Sequence, residues 1–204
     1  MQQPQGSLPN NLRSLLESGL GADVLVVAAD GHLAAHSSIL VARSPVFSAL
    51  LRRMKQMVSI RDMPVDVVRQ LLTFMYTDEV PQLQSVAPQL LALADRFELP
   101  VLKEKCEQHL IENLRVENTP LYCVLARRHS CPLLHSAAID YFARHAHQVV
   151  CSQGWIEELR KDPKLLAEIP HLVANHAVSI ASSMEEMRTW MGYGIQVDKE
   201  KISA

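Results

Sequence analysis

Glycine and aromatic residues are scarce. The 204-residue chain has seven glycines, and Phe, Trp and Tyr make up 5% of it. None of the glycine-rich arrays that cradle a phosphate or a dinucleotide occurs, nor the Gly-x-Ser-x-Gly turn of many hydrolases. Neither sign of charge is in excess: Lys plus Arg (20) against Asp plus Glu (22) leaves −2. That balance argues against a protein held on nucleic acid by a basic surplus. Long apolar runs are also missing; Val24–Ala29 is far below the roughly 20 residues a membrane-spanning helix needs. The start, MQQPQGSLPNN, has no basic segment leading into an apolar one, so no secretory signal is expected. The four cysteines (Cys106, Cys123, Cys131, Cys151) fall in the second half without a Cys-x-x-Cys pair. This usage fits buried, reduced thiols in an intracellular protein, nuclear or cytoplasmic. What is abundant is core material: 48% of residues are hydrophobic, which rules out wholesale disorder. The length suits one domain or two small ones.

Along the chain, residues 1–7 form a polar lead expected to be disordered. Leu8, Leu12, Leu15 and Leu16 then recur at helical spacing until Gly19 and Gly21 stop the run. Val24–Ala29 is a continuous β-branched run that reads as a buried strand. Asp30-Gly31 signals a hairpin, with Leu33–Ala35 returning. Ser37–Arg43 is a short helix with Ile39 and Leu40 inward, and Ser44-Pro45 reads as the cap and first turn of another. Met57–Ile60 is a third strand. Asp62 is the expected cap of a helix reaching Tyr76, and Ser85 that of the next, with Pro88 in its first turn. Leu102, Cys106, Leu110 and Leu114 share one helix face after Pro100. From residue 116 the pattern is wholly helical: Asn118-Thr119-Pro120, Pro132 and Asp162-Pro163 each open a helix. Past about residue 182 the periodicity fades, leaving a tail over 183–204. The expected class is α+β, a small sheet flanked by helices followed by an all-helical region.

The segment DVLVVAADGHLAAHSSILVARSPVFSALL (23–51) resembles the opening of a BTB/POZ domain. The matching features are Asp23-Val24, Gly31, Ala35-His36, Ile39-Leu40 and Arg43-Ser44-Pro45-Val46-Phe47. LLTFMYTDEV (71–80) is similar to the family's helix ending in Tyr-Thr. LLALADRFELPVLKEKCEQHL (90–110) is similar to its Leu-Leu…Ala-Asp…Leu-Lys…Cys signature. The stretch 116–155 resembles the three-box or BACK-type helices that follow such domains. The lead LPNNLRSLLESGLGADV, with Ser152 and Trp155, is most similar to the speckle-type POZ subgroup. On this resemblance 8–115 is a BTB/POZ domain and 116–182 a BACK-like region. The subgroup usually carries a substrate-binding MATH domain at its N-terminus; seven residues before Leu8 are too few to fold, so none is expected here.

The resemblance implies a non-enzymatic scaffold that binds no cofactor and presents two surfaces. The first is a homodimer face, to which Leu8, Leu12, Leu15, Leu16, Ile39, Val46 and Phe47 are assigned; the leucine stripe also needs a cover on its own account. Mixed dimers with other BTB proteins would use the same face. The second surface would grip cullin-3, making the chain an adaptor of a ubiquitin ligase that directs proteins to the proteasome. The family's hydrophobic-x-Glu motif has one counterpart here, Met54-Lys55-Gln56, with the carboxylate lost. A charge-assisted hydrogen bond there becomes a neutral one, roughly half as strong. Tyr76-Thr77-Asp78 stands where many members have Tyr-Thr-Gly. The alternative is a module that self-associates without binding cullin. Asp23 and His36 are expected to pair by a buried hydrogen bond, a structural role, and Ser37 replaces the Lys or Arg that often follows the histidine.

Chemical readings are weaker. Cys106-x-x-His109 and His129-x-Cys131-x-x-x-His135 have spacings a zinc ion could use, but Cys106 lies on the apolar face with Leu102 and Leu110. The same burial argues against a nucleophilic thiol. Arg52-Arg53 and Arg127-Arg128 read as solvated helix ends. Trp190 and Tyr193 read as a hydrophobic latch.

Overall fold

A computed structural model of the chain describes residues 6–54 and 56–161. Asp162-Pro163, Trp190 and Tyr193 lie outside the described residues, as does the tail. The chain divides into two compact units, meeting at Glu112 and Asn113. The first runs α1 (Leu8–Ser18), β1 (Val24–Val27), β2 (His32–Ala35), α2 (Ser37–Arg43), α3 (Pro45–Met54), β3 (Met57–Ser59), α4 (Val65–Thr77), α5 (Leu83–Arg96) and α6 (Pro100–Glu112). The second contains α7 (Thr119–Arg128), α8 (Pro132–Arg144), α9 (Ala146–Val150) and α10 (Gln153–Lys161).

In the first unit β1 is the central strand. It pairs antiparallel with β2, placing Val24 opposite Ala35, and parallel with β3, placing Val26 beside Val58. The parallel pairing follows from the α2–α3 crossover, which returns the chain in the same direction. Val24 and Val26 are buried while Leu25 is 37% exposed, so the sheet is covered on one face only. The continuous apolar run of β1 does not mark a strand buried on both sides. Gly19, at φ 64, ends α1 in the left-handed conformation that glycine adopts without strain.

The hairpin differs from a two-residue turn. Four residues, Ala28 to Gly31, connect the strands, closed by the Ala28 N–H to the Gly31 carbonyl at 2.8 Å. Gly31 does not have a positive φ. It is small because α4 passes close by: a Cβ there would stand 3.3 Å from the Val65 side chain. Asp30 turns toward the same helix and accepts the Val65 N–H at 2.7 Å. The acceptor at the start of α4 is therefore Asp30, 35 residues away, and not Asp62. Asp62 instead receives both terminal nitrogens of Arg96, at 2.9 and 2.5 Å. Ten of the thirteen residues of α4 are buried, which makes it the central helix of the unit.

Ser44 caps α3 as expected, its Oγ accepting the Phe47 N–H at 3.2 Å and donating to the Phe97 carbonyl at 2.7 Å. Phe47 and Phe97 stack with centroids 4.4 Å apart, deep in the core. α5 begins at Leu83, so Pro88 sits inside it, and Ser85 is a helical residue whose hydroxyl donates to the Gln82 carbonyl.

In the second unit, α7 packs on α8 and α10, and short-range hydrogen bonds shape the helix starts. Asn118 accepts the Arg115 N–H and donates to the Asn113 carbonyl, shaping the entry to α7. Ser152 caps α10 by accepting the Trp155 N–H at 3.2 Å. Gly154 lets α10 approach this entry loop. A Cβ at 154 would lie 1.8 Å from the Glu117 carbonyl oxygen, so no other residue fits without a backbone shift.

Candidate interaction surfaces

The leucines of α1 lie partly against α4 of their own chain, and yet no residue of α1 is fully buried. Leu12, Leu15 and Leu16 are half-buried, and Leu8 is 70% exposed. Beside them a groove of about 450 Å³ runs between α1, α2 and the end of α4. Its apolar lining includes Leu8, Leu12, Ile39, Ala42 and Met75, and Arg43 and Asp78 border it. Arg13 ties α1 down by an ion pair to Glu79 at 2.6 Å. Ile39, expected to point inward, is half-buried and faces this groove; Val46 is half-buried as well. Phe47 has no exposed surface, so it has nothing to offer a second chain directly. Its ring is stacked on Phe97 in the core of its own unit.

The residues expected to meet cullin are scattered in accessibility. Tyr76 is 4% and Thr77 6% exposed. The Thr77 hydroxyl donates to the Thr73 carbonyl one turn back. Both are largely buried, yet both line the groove beside the end of α4. Asp78 is exposed and ends α4 at φ 59, its N–H reaching the Phe74 carbonyl at 2.8 Å. A side chain is strained there, and this one pairs with Arg43, while Lys105 donates to the Asp78 carbonyl at 2.8 Å. Both cations also lie over the Phe74 ring. Gln56 is exposed, with its carbonyl taken by the Leu25 N–H. Lys55 and the side chain of Met54 are outside the described residues.

Asp23 and His36 do not bond to each other. Asp23 is exposed and accepts both the N–H (2.7 Å) and the hydroxyl (2.5 Å) of Ser37, occupying the start of α2. These two bonds hold its carboxyl below the ordinary range. Ser37, a departure from the family pattern, is thus the residue that engages Asp23. His36 reaches elsewhere: Nε2 contacts the Leu20 carbonyl and Nδ1 the Tyr76 hydroxyl, both at 2.8 Å. A carbonyl only accepts, so Nε2 carries the proton. In the neutral ring Tyr76 donates to Nδ1, and its oxygen accepts the His36 backbone N–H at 2.8 Å. The ring so joins the α1–β1 connection to the end of α4, and burial raises the phenol pKa of Tyr76.

Comparison with known proteins places the first unit. The model of the BTB/POZ domain family matches residues 12–114. The chain belongs to the BTB/POZ domain family. BTB domains are protein–protein interaction modules that associate with themselves and with relatives. The chain is 35% identical over 176 residues to TD and POZ domain-containing protein 4 of Mus musculus, covering 83% of this chain and 48% of that protein. It is 33% identical over 193 residues to TD and POZ domain-containing protein 2 of the same organism, covering 91% and 53%. It thus spans about half the length of these curated relatives. Both alignments are longer than the 112 residues of the first unit, so the likeness continues into the helical unit. A solved structure, the BTB domain of zebrafish PATZ1, is similar at 22% identity and a TM-score of 0.46. It covers 56% of this chain and 100% of that one.

Three of the four thiols are set in the packing of their own units. Cys106, Cys123 and Cys131 are buried, and Cys151 is exposed. Burial pushes the Cys123 thiol up to about 12, so at neutral pH it is not a thiolate. No group of three or more His, Cys, Asp or Glu among the described residues stands ready to hold a metal ion, and none of the described helices is long and apolar enough to cross a membrane.

Proposed function

We propose that this protein is a non-enzymatic, homodimerising adaptor, working inside the cell, that recruits a cullin-3 RING ligase for ubiquitination and proteasomal degradation. The observation that carries the self-association is α1: four leucines on one helix, none buried in its own chain, beside an apolar groove. A second copy presenting the same surface covers both at once, as a two-fold interface requires. The ligase half of the reading rests on the family likeness, on Met54-Lys55-Gln56 after α3, and on the helical region over 116–182 read as BACK-like.

A second reading, self-association alone or mixed dimers with other BTB proteins, is favoured by two observations. Tyr76 and Thr77 are largely buried, and Gln56 replaces the carboxylate of the family motif. Light scattering should give a mass near twice 22.8 kDa, moved toward monomer by Leu12→Asp or Leu16→Asp; a monomer at high concentration overturns both readings. Size exclusion with the N-terminal domain of cullin-3 separates them: co-elution, tightened by Gln56→Glu, supports recruitment, and two separate peaks leave self-association alone.

A further inference from the structure

The turn between α7 and α8, which closes α7 through backbone hydrogen bonds, carries a sequence that the adaptor reading does not use. Arg127-Arg128-His129-Ser130 places two arginines three and two residues before a serine. No other serine or threonine in the chain has Arg or Lys three residues before it. Arg127, Arg128 and Ser130 are all exposed. We propose that Ser130 is a phosphorylation site for an arginine-directed protein kinase, and that the phosphate converts this basic turn into a neutral or acidic one.

The chemistry is transfer of the γ-phosphoryl group of ATP. The Ser130 Oγ–phosphorus bond forms, the bond between the β and γ phosphates breaks, the hydroxyl proton passes to the kinase base, and ADP leaves. Kinases that select arginine ahead of the acceptor do so with acidic subsites, and charge pattern is a common basis of kinase–substrate selectivity. Local geometry permits the opening such a kinase needs. Ser130 sits at φ 51, a conformation unfavourable for a residue with a side chain, and its N–H reaches the Arg127 carbonyl only at 3.4 Å. Cys131, buried and bonded to the Ala126 carbonyl at 2.8 Å, is the anchor that must release. Once added, a charge near −2 lies beside two guanidinium groups. It also stands just ahead of α8, whose first turn has no acidic residue and whose cap makes no side-chain hydrogen bond.

The inference is independent of cullin binding and of dimerisation. The full chain is incubated with ATP and the catalytic subunit of cAMP-dependent protein kinase, an arginine-directed enzyme, and phosphorylated positions are read by mass spectrometry. One phosphate on Ser130 is expected, abolished by Ser130→Ala, with kcat/KM reduced at least tenfold by Arg127→Gln together with Arg128→Gln. A synthetic peptide covering 124–134 is run alongside. If the peptide accepts phosphate and the folded chain does not, the proposal is overturned, because the turn then withholds its serine. If neither accepts it, the motif itself is misread and the proposal fails as well.

Discussion

The two units hold themselves together over different distances. In the first, polar contacts join remote parts of the chain: Asp23 to Ser37, Asp30 to Val65, His36 to Tyr76, Ser44 to Phe97, and Asp62 to Arg96, spanning 14 to 53 residues. In the second, the side-chain bonds described above join residues two turns apart at most, as with Asn118 and Asn113 or Ser152 and Trp155. Among these bonds, the first unit's tie loops to distant helix ends, and the second's shape the caps and turns of single helices. Contacts between more distant residues are present there too, among them the steric approach of Gly154 to Glu117 and the Phe142 ring tilted against Trp155 with centroids 5.7 Å apart.

Thiol reactivity offers a way to break this comparison, since Cys106 is buried in the first unit and Cys123 in the second. Phe47→Ala empties the stack on Phe97 and should cost about 3–5 kcal/mol. Alkylation of Cys106 should then accelerate far more than that of Cys123. Gly154→Ala should do the reverse, at about 1–3 kcal/mol or more for a contact that only a backbone shift relieves. Equal acceleration of both thiols by either change would mean that the units do not open separately. In the unaltered protein, exposed Cys151 should react first.

The remote helix acceptor gives a smaller and sharper test. Asp30→Ala should destabilise the first unit by about 1 kcal/mol, as removal of a helix-start acceptor does. Asp62→Ala should cost less, about 0.5 kcal/mol, because the Arg96 pair it breaks is solvated. Urea midpoints in the opposite order would return the role at the start of α4 to Asp62. Smallest is the acid limb. Ser37 hydrogen bonds hold the Asp23 carboxyl below its ordinary range, and the Arg96 guanidinium does so for Asp62. The unfolded chain takes up these protons at higher pH than the folded chain does. The stabilisation is thus present above the unfolded carboxylate value of about 4 and is lost as pH falls through the folded values. Asp23→Asn with Asp62→Asn should flatten the pH dependence of stability in that acid window, and leave it unchanged at pH 7 to 8.

Helix positions were largely legible because their signals are local. Ser44-Pro45, Asn118-Thr119-Pro120 and Pro132 each open a helix where expected, and the α1 leucines predicted a stripe that its own chain leaves partly uncovered. The errors cluster in the first unit, where the deciding partner is far along the chain. Asp62 precedes α4 in sequence, and Asp30 reaches it in space. Asp23 and His36 are brought near each other, but Ser37 and Tyr76 take their hydrogen bonds. How far Phe47, Tyr76 and Thr77 are buried is likewise not visible in a motif. Gly154 gave no signal, since a glycine inside a helical pattern reads the same whether or not a carbonyl stands against it.

The order of amino acids by itself determined most helix and strand positions, the outward leucine row and membership of the BTB/POZ family, because each is carried by spacing along the chain. Only the tertiary structure decided which carboxylate serves α4, which motif residues keep an accessible side chain, and why residue 154 must lack a Cβ. These depend on which atoms arrive within a few ångströms from distant segments, and periodicity carries no information about that arrival.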